Sequence, residues 1–174
     1  MKLLSTLPRP DPAWFIRPDG RDASRHIHGV KHTLRVMIHA VEIAEAEGAS
    51  SAERQAVLLA ALWHDIGRTC DARDYHHGAK SAGKVVGLGL HREYPSAIVE
   101  VALFAITHHP CPDERGERAA MELPDPAGAR RVFQILKDAD GLDRVRLGDL
   151  DVSLLRFETS RLREPRAQEL LKRV

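Results

Sequence analysis

The strongest constraint in the sequence is an apolar run that ends in two ionisable residues. Residues 56–63 are all apolar, and His64 and Asp65 follow directly. The run predicts a helix over residues 52–64 that is buried on all sides and closed by Gly67 in the left-handed conformation. Burying an ionised carboxylate at its end costs several kcal/mol unless the carboxylate is paired or bound to a metal. We therefore interpret His64 and Asp65 as the middle of a metal site.

Two further predicted helices end in the same kind of residue. A helix over residues 94–107 is followed by His108 and His109, and a helix over residues 126–140 ends at Asp140. No long stretch alternates with the period of a β-strand. The sequence therefore predicts an all-α bundle that collects the polar ends of its core helices in one pocket.

The helix predicted ahead of this run carries a stripe of basic residues. It covers residues 24–47, and the stripe lies within about 60° of arc at about 100° per residue. The stripe consists of His28, His32, Arg35 and His39. Imidazoles at i and i+4 can hold one metal ion or bracket two. The alternative interpretation is a solvated polar face.

Other charged residues near the helix ends leave alternatives open. Asp65 can form a salt bridge with Arg68 instead of binding a metal. Asp138, Asp140 and Asp143 cannot all face the core at low cost, so we expect one to point inward and two outward.

The remaining segments complete the predicted organisation. Residues 1–23 form an irregular N-terminal segment, and residues 24–174 form the helical domain. Residues 110–127 contain four prolines and many charges, which predicts a loop or lid over the site. A short helix over residues 78–88 begins among small residues, where Lys80 can face a phosphate or lie in solvent.

Composition excludes several classes of protein. A length of 174 residues fits one domain, and a net charge of +1 implies no general attraction to nucleic acid or membrane. The two cysteines are isolated and no signal peptide is evident, so we expect a cytoplasmic protein. No apolar run is long enough to span a membrane. The partner expected is a small molecule, and the sequence leaves open whether the chain forms a homo-oligomer.

The order of these residues resembles the HD-domain superfamily of metal-dependent phosphohydrolases. His32 is followed by Arg35 and Val36, His64-Asp65 stands in a His-Asp-Ile-Gly-Arg sequence, and Asp140 stands in Lys-Asp-Ala-Asp-Gly-Leu-Asp. The resemblance covers about residues 26–157. It implies an HD-domain-like helical bundle in which His32, His64, Asp65 and Asp140 bind one divalent ion.

The same resemblance implies further ligands. Histidines match positions that add ligands in members with several metals, namely His28, His77 and either His108 or His109. We therefore expect a binuclear or larger site rather than a mononuclear one. Imidazole and carboxylate ligands favour Mn²⁺, Fe²⁺, Co²⁺, Ni²⁺ or Zn²⁺ over Mg²⁺.

The expected activity is hydrolysis of a phosphate ester, in a nucleotide or a related small metabolite. Asp65 would hold the metal and orient water, and the candidate phosphate-binding cations are Arg35, Arg68 and Lys80, with Arg144 as a weaker one. The Gly-Tyr-Pro signature of the cyclic-dinucleotide phosphodiesterase branch is replaced here by residues 110–112. Two alternatives are a catalytically inactive module that binds metal or nucleotide, and a di-iron oxygenase built on the HD fold.

Overall fold

The computed structural model describes residues 7–174, and helices are the regular elements that these residues form. The α-helices are α1 (Val30–Ala46), α2 (Ser51–Trp63), α3 (His77–Gly87), α4 (Ser96–His108), α5 (Asp113–Ala120), α6 (Pro126–Leu142), α7 (Glu158–Arg161) and α8 (Glu164–Arg173). Short 3-10 helices cover Pro12–Phe15, Asp143–Leu147 and Val152–Leu154. The predicted all-α class is confirmed. Residues 1–6 of the predicted N-terminal segment lie outside the described residues.

Helix α2 lies at the centre of the bundle and packs against α1, α4 and α6. Its start is fixed by a capping box, in which Ser50 and Glu53 bond to each other's backbone N–H groups. Its apolar residues are almost wholly buried, as the sequence predicts, and Leu59 and Trp63 are among the largest of them. None of the helices within residues 7–174 combines the length and apolar content needed to cross a membrane.

Two predicted details around the first two helices are wrong. Helix α1 begins at Val30, not at residue 24, because residues 24–29 fold into turns in which the Val30 N–H donates to the Ser24 carbonyl at 2.8 Å. Gly67 does not adopt a positive φ. Its lack of a side chain instead permits close packing on α3, since a Cβ at this position would lie 2.2 Å from the Ser81 nitrogen.

The segment predicted as a loop or lid contains helix α5. Its prolines flank the helix instead of interrupting it, with Pro112 at its N-cap. Asp113 and Glu114 occupy its first turn, where negative charge stabilises a helix. The helix packs against α6. The charged residues of this segment therefore lie on a helix with one buried face and not in a loop.

The prediction that one of the three carboxylates at the end of α6 points inward and the other two outward is also wrong. Asp138 and Asp143 are both fully buried, whereas the side chain of Asp140 is 37% exposed. Asp138 accepts hydrogen bonds from Arg156 at 2.9 and 3.1 Å, and Asp143 accepts them from Arg35 at 2.6 and 3.0 Å. These pairings offset the cost of burial.

Candidate metal centre

The helix ends bring together side chains that can bind a metal. Helices α2 and α4 contribute at their C-terminal ends, α6 in its last turn, and α1 and α3 at their starts. The side chains are His28, His32, His64, Asp65, His77, His109 and Asp140. Helix α3 approaches α4 closely because residue 78 is glycine, where a Cβ would lie 2.3 Å from the Ile106 carbonyl oxygen.

The imidazoles meet in two pairs. The Nε2 atoms of His32 and His64 are 3.1 Å apart, and those of His77 and His109 are 2.8 Å apart. Asp140 lies beside the first pair, with its Oδ1 atom 3.3 Å from the His32 Nε2 atom.

Asp65 lies between the two pairs and faces each with a different oxygen. Its Oδ1 atom is 3.1 Å from the Nε2 atom of His77, and its Oδ2 atom is 3.5 Å from that of His32 and 3.0 Å from the Nδ1 atom of His28. Burial alone would raise the pKa of Asp65, but the neighbouring His64 and these three imidazoles hold it well below its usual range. The carboxylate is therefore ionised and available to both pairs.

The backbone contacts of the second pair leave its two Nε2 atoms free to bind a cation between the rings. The Nδ1 atom of His77 donates to the Asp74 carbonyl at 2.5 Å, and that of His109 donates to the Ile106 carbonyl at 2.7 Å. Both Nε2 atoms are then acceptors, and they face each other at 2.8 Å. Burial and the adjacent imidazoles lower the pKa of His109 to about 3, so its ring is neutral. The donor set fits a divalent ion at this position.

His32 is oriented by a buried ion pair that the sequence did not indicate. Its Nδ1 atom lies 2.7 Å from Asp143, which is itself bound by Arg35. Burial would lower the pKa of His32, but hydrogen bonds to Asp140, Asp143 and Asp65 raise it to about 10. A carboxylate behind a ligating histidine is the usual arrangement at metal sites.

A cleft of about 510 Å³ opens above this cluster. Arg68, Arg73 and Arg144 line it, and Arg68 also donates to Asp65 at 2.9 Å. The guanidinium of Arg73 lies over the ring of Tyr75, 4.7 Å from its centre. The sequence indicates Arg68 and, more weakly, Arg144 as phosphate-binding cations, whereas Arg73 and Tyr75 lie in a loop without periodic pattern and carry no such signal.

Four other residues proposed from the sequence lie elsewhere. Arg35, a candidate phosphate-binding cation, is buried and bound to Asp143 at 2.6 and 3.0 Å, and it does not line the cleft. Lys80 pairs with Asp74 at 2.7 Å and lines a separate groove. His108 packs against the ring of Phe104, and its neighbour at position 109 takes the place in the cluster. His39 is buried in the core, so the alternative of a solvated polar face is wrong for it.

The fold and the cluster together define a helical domain with a site for divalent metal. A sequence model of the HD domain matches residues 29–145. The structure is also similar to the crystal structure of a predicted HD superfamily hydrolase from an uncultured Thermotogales bacterium, with 25% identity and a TM-score of 0.60 over 99% of this chain and 92% of that one. None of the curated proteins matches the chain. The protein belongs to the HD domain family, a family of metal-dependent hydrolases.

Proposed function

We propose that this protein is a phosphohydrolase that uses divalent ions to hydrolyse a phosphate ester of a small molecule, such as a nucleotide. One observation carries the proposal. Two pairs of imidazoles bring their Nε2 atoms to within 3.1 and 2.8 Å of each other around Asp65, at the floor of a cleft lined by arginines. An ionised carboxylate among imidazole nitrogens favours cations, and the arginines above favour an anion.

In this proposal the centre holds two ions. One would be bound by His32, His64 and Asp140, the other by His77 and His109, and Asp65 would give one oxygen to each. His28 forms a further group with His32 and Asp65 and can add a ligand on the His32 side of Asp65. Nitrogen and carboxylate ligands favour Mn²⁺, Fe²⁺, Co²⁺, Ni²⁺ or Zn²⁺.

Divalent ions bound here would polarise the phosphoryl oxygens and lower the pKa of water beside them. The chain itself supplies charge and position. Asp65 is a weak base because its pKa is held well below the usual range. Its role would therefore be to bind at both metal positions and fix their relative placement. Arg68 lies at the cleft wall beside Asp65, where its guanidinium can bind a phosphoryl oxygen.

The cleft supports a small-molecule substrate. Its volume of about 510 Å³ lies within the range of ordinary ligand pockets. Three arginines line it, which suits a phosphorylated compound, and the exposed ring of Tyr75 offers an apolar face to an organic group.

The test is a screen of phosphate esters on protein stripped of metal and then supplied with one divalent metal at a time. The substrates include nucleoside monophosphates, 4-nitrophenyl phosphate and bis(4-nitrophenyl) phosphate. We expect wild-type protein to release product with at least one of the metals named above, and Asp65→Ala to release none. Asp19→Ala removes an exposed aspartate and is the matched control, with wild-type activity expected.

The contradicting outcomes are distinct. Equal activity in wild-type protein and Asp65→Ala would remove Asp65 from the mechanism. Iron content with consumption of O₂ and no phosphate ester cleaved would favour an oxygenase. Stabilisation by nucleotide or metal without any product would favour a binding module.

A further inference from the structure

A second, smaller cleft meets the first at the candidate metal centre. It has a volume of about 190 Å³, against about 510 Å³ for the larger one. His109, Asp140 and Arg144 line both clefts. A phosphoryl group bound at the metal centre therefore lies at a junction, with open space on two sides.

The large cleft is suited to a polar or aromatic substituent. Arg68 and Arg73 line it, and the ring of Tyr75 is 46% exposed beneath the Arg73 guanidinium. Base-like or other planar groups stack on such a surface.

The small cleft is suited to an uncharged substituent. Its ionisable lining is balanced, with the acids Asp140, Asp149 and Asp151 and the bases Lys137, Arg144 and Arg156. Lys137 and Arg156 are both already bound to Asp113, at 2.6 and 2.7 Å. The apolar part of its wall includes Leu154, which is 70% exposed.

We infer that the substrate is a phosphate diester, with its two organic groups in the two clefts. The inference rests on the proposed function and specifies its substrate class. A monoester would leave the small cleft without a group to fill it. A diester carries a single negative charge and fills both sides.

The reaction is a hydrolysis. Water adds to phosphorus, the P–O bond to one alcohol breaks, and the departing oxygen takes up one proton. The products are a phosphate monoester and an alcohol.

The test compares two substrates that share one leaving group, bis(4-nitrophenyl) phosphate and 4-nitrophenyl phosphate, on the metal-loaded full chain. Leu154→Trp places a large side chain in the small cleft. We expect it to raise KM for the diester by about tenfold or more and to change KM for the monoester by less than about twofold. Leu162→Trp changes a leucine that is 75% exposed, outside both clefts, and should leave both KM values as in wild type.

The outcomes separate the inference from the proposed function. Hydrolysis of the monoester with no selective effect of Leu154→Trp on the diester overturns the inference and leaves the phosphohydrolase in place. Cleavage of neither substrate nor of any other phosphate ester overturns both. Leu154→Ala keeps the cleft open and guards against misfolding of the tryptophan variant, and the inference requires it to raise the diester KM by less than Leu154→Trp does.

Discussion

His77 and His109 point their Nε2 atoms at each other across 2.8 Å, while a backbone carbonyl holds the Nδ1 atom of each ring. Two acceptor nitrogens at this distance repel each other unless a cation joins them. The approach depends on Gly78, where a Cβ would lie 2.3 Å from the Ile106 carbonyl oxygen. A helix spacing set by one glycine thus holds one half of the candidate centre together.

Gly78→Ala should therefore lose one bound ion. The added methyl group forces α3 away from α4 and separates His77 from His109. Gly83→Ala lies in the same helix with nothing within 4 Å of its Cβ, so it should keep its metal and gain up to about 1 kcal/mol of stability. Elemental analysis of both variants after loading with Mn²⁺ is the measurement. Equal metal content in the two would contradict the prediction.

Asp143→Asn should weaken metal binding by roughly 10- to 100-fold, because Asp143 orients His32 through its Nδ1 atom. Asp138→Asn is the control, since Asp138 is equally buried but bonds to Arg156. Both variants should lose stability, by up to about 3–5 kcal/mol, because each removes a buried carboxylate charge that pairs with an arginine. Calorimetric titration with Mn²⁺ should find weaker binding in Asp143→Asn alone, and an equal loss in both would refute the orienting role.

His39→Leu should make the protein less sensitive to acid. His39 is buried, neither ring nitrogen has a hydrogen-bond partner within residues 7–174, and burial lowers its pKa from 6.5 to about 4. Between these values the unfolded chain binds a proton that the folded chain does not, so stability falls as pH drops from 6.5 towards 4. The loss from this group is about 2 kcal/mol at about pH 5.

Urea denaturation at about pH 7.5 and about pH 5 measures this difference. The leucine variant should lose less stability between the two conditions than wild type, by about 2 kcal/mol. His76→Leu, at an exposed position, should behave as wild type. An unchanged pH dependence in His39→Leu would show that other groups dominate acid unfolding.

Arg68→Ala should lower kcat/KM for a phosphate ester by roughly 10- to 100-fold, the effect of losing one charge-assisted hydrogen bond. Lys80→Ala should change it by less than about twofold, because Lys80 pairs with Asp74 and lines a separate groove. Steady-state kinetics at matched metal content make the comparison. A larger loss of kcat/KM in Lys80→Ala than in Arg68→Ala would contradict this prediction and would identify Lys80 as the phosphate-binding cation.

The sequence predicts much of the cluster because its members follow apolar runs. His64 and Asp65 end the run of α2, and His109 follows that of α4, so each is costly unless paired or ligated. His32 and Asp140 come from the HD-domain resemblance. A local pattern cannot say which of His108 and His109 turns inward, since that choice depends on how α4 packs against α2 and α3.

What the sequence misses depends on contacts between distant segments. Asp143 and His32 are 111 residues apart, and nothing near either residue indicates their pairing. The sequence of helix α5 predicts a loop because prolines flank the helix and its exposed residues are charged. Arg73 and Tyr75, which form part of the cleft wall, come from a loop whose conformation tertiary contacts decide.

The most direct measurement is a titration of metal-free protein with Mn²⁺, followed by hydrolysis of bis(4-nitrophenyl) phosphate, in wild type and Asp65→Ala. The two imidazole pairs and the Asp65 carboxylate between them predict wild-type activity that is absent without metal and saturates at about two equivalents. They predict no activity in Asp65→Ala at any ratio. Activity without metal, or the same titration curve in both proteins, would contradict a metal-dependent phosphohydrolase centred on Asp65.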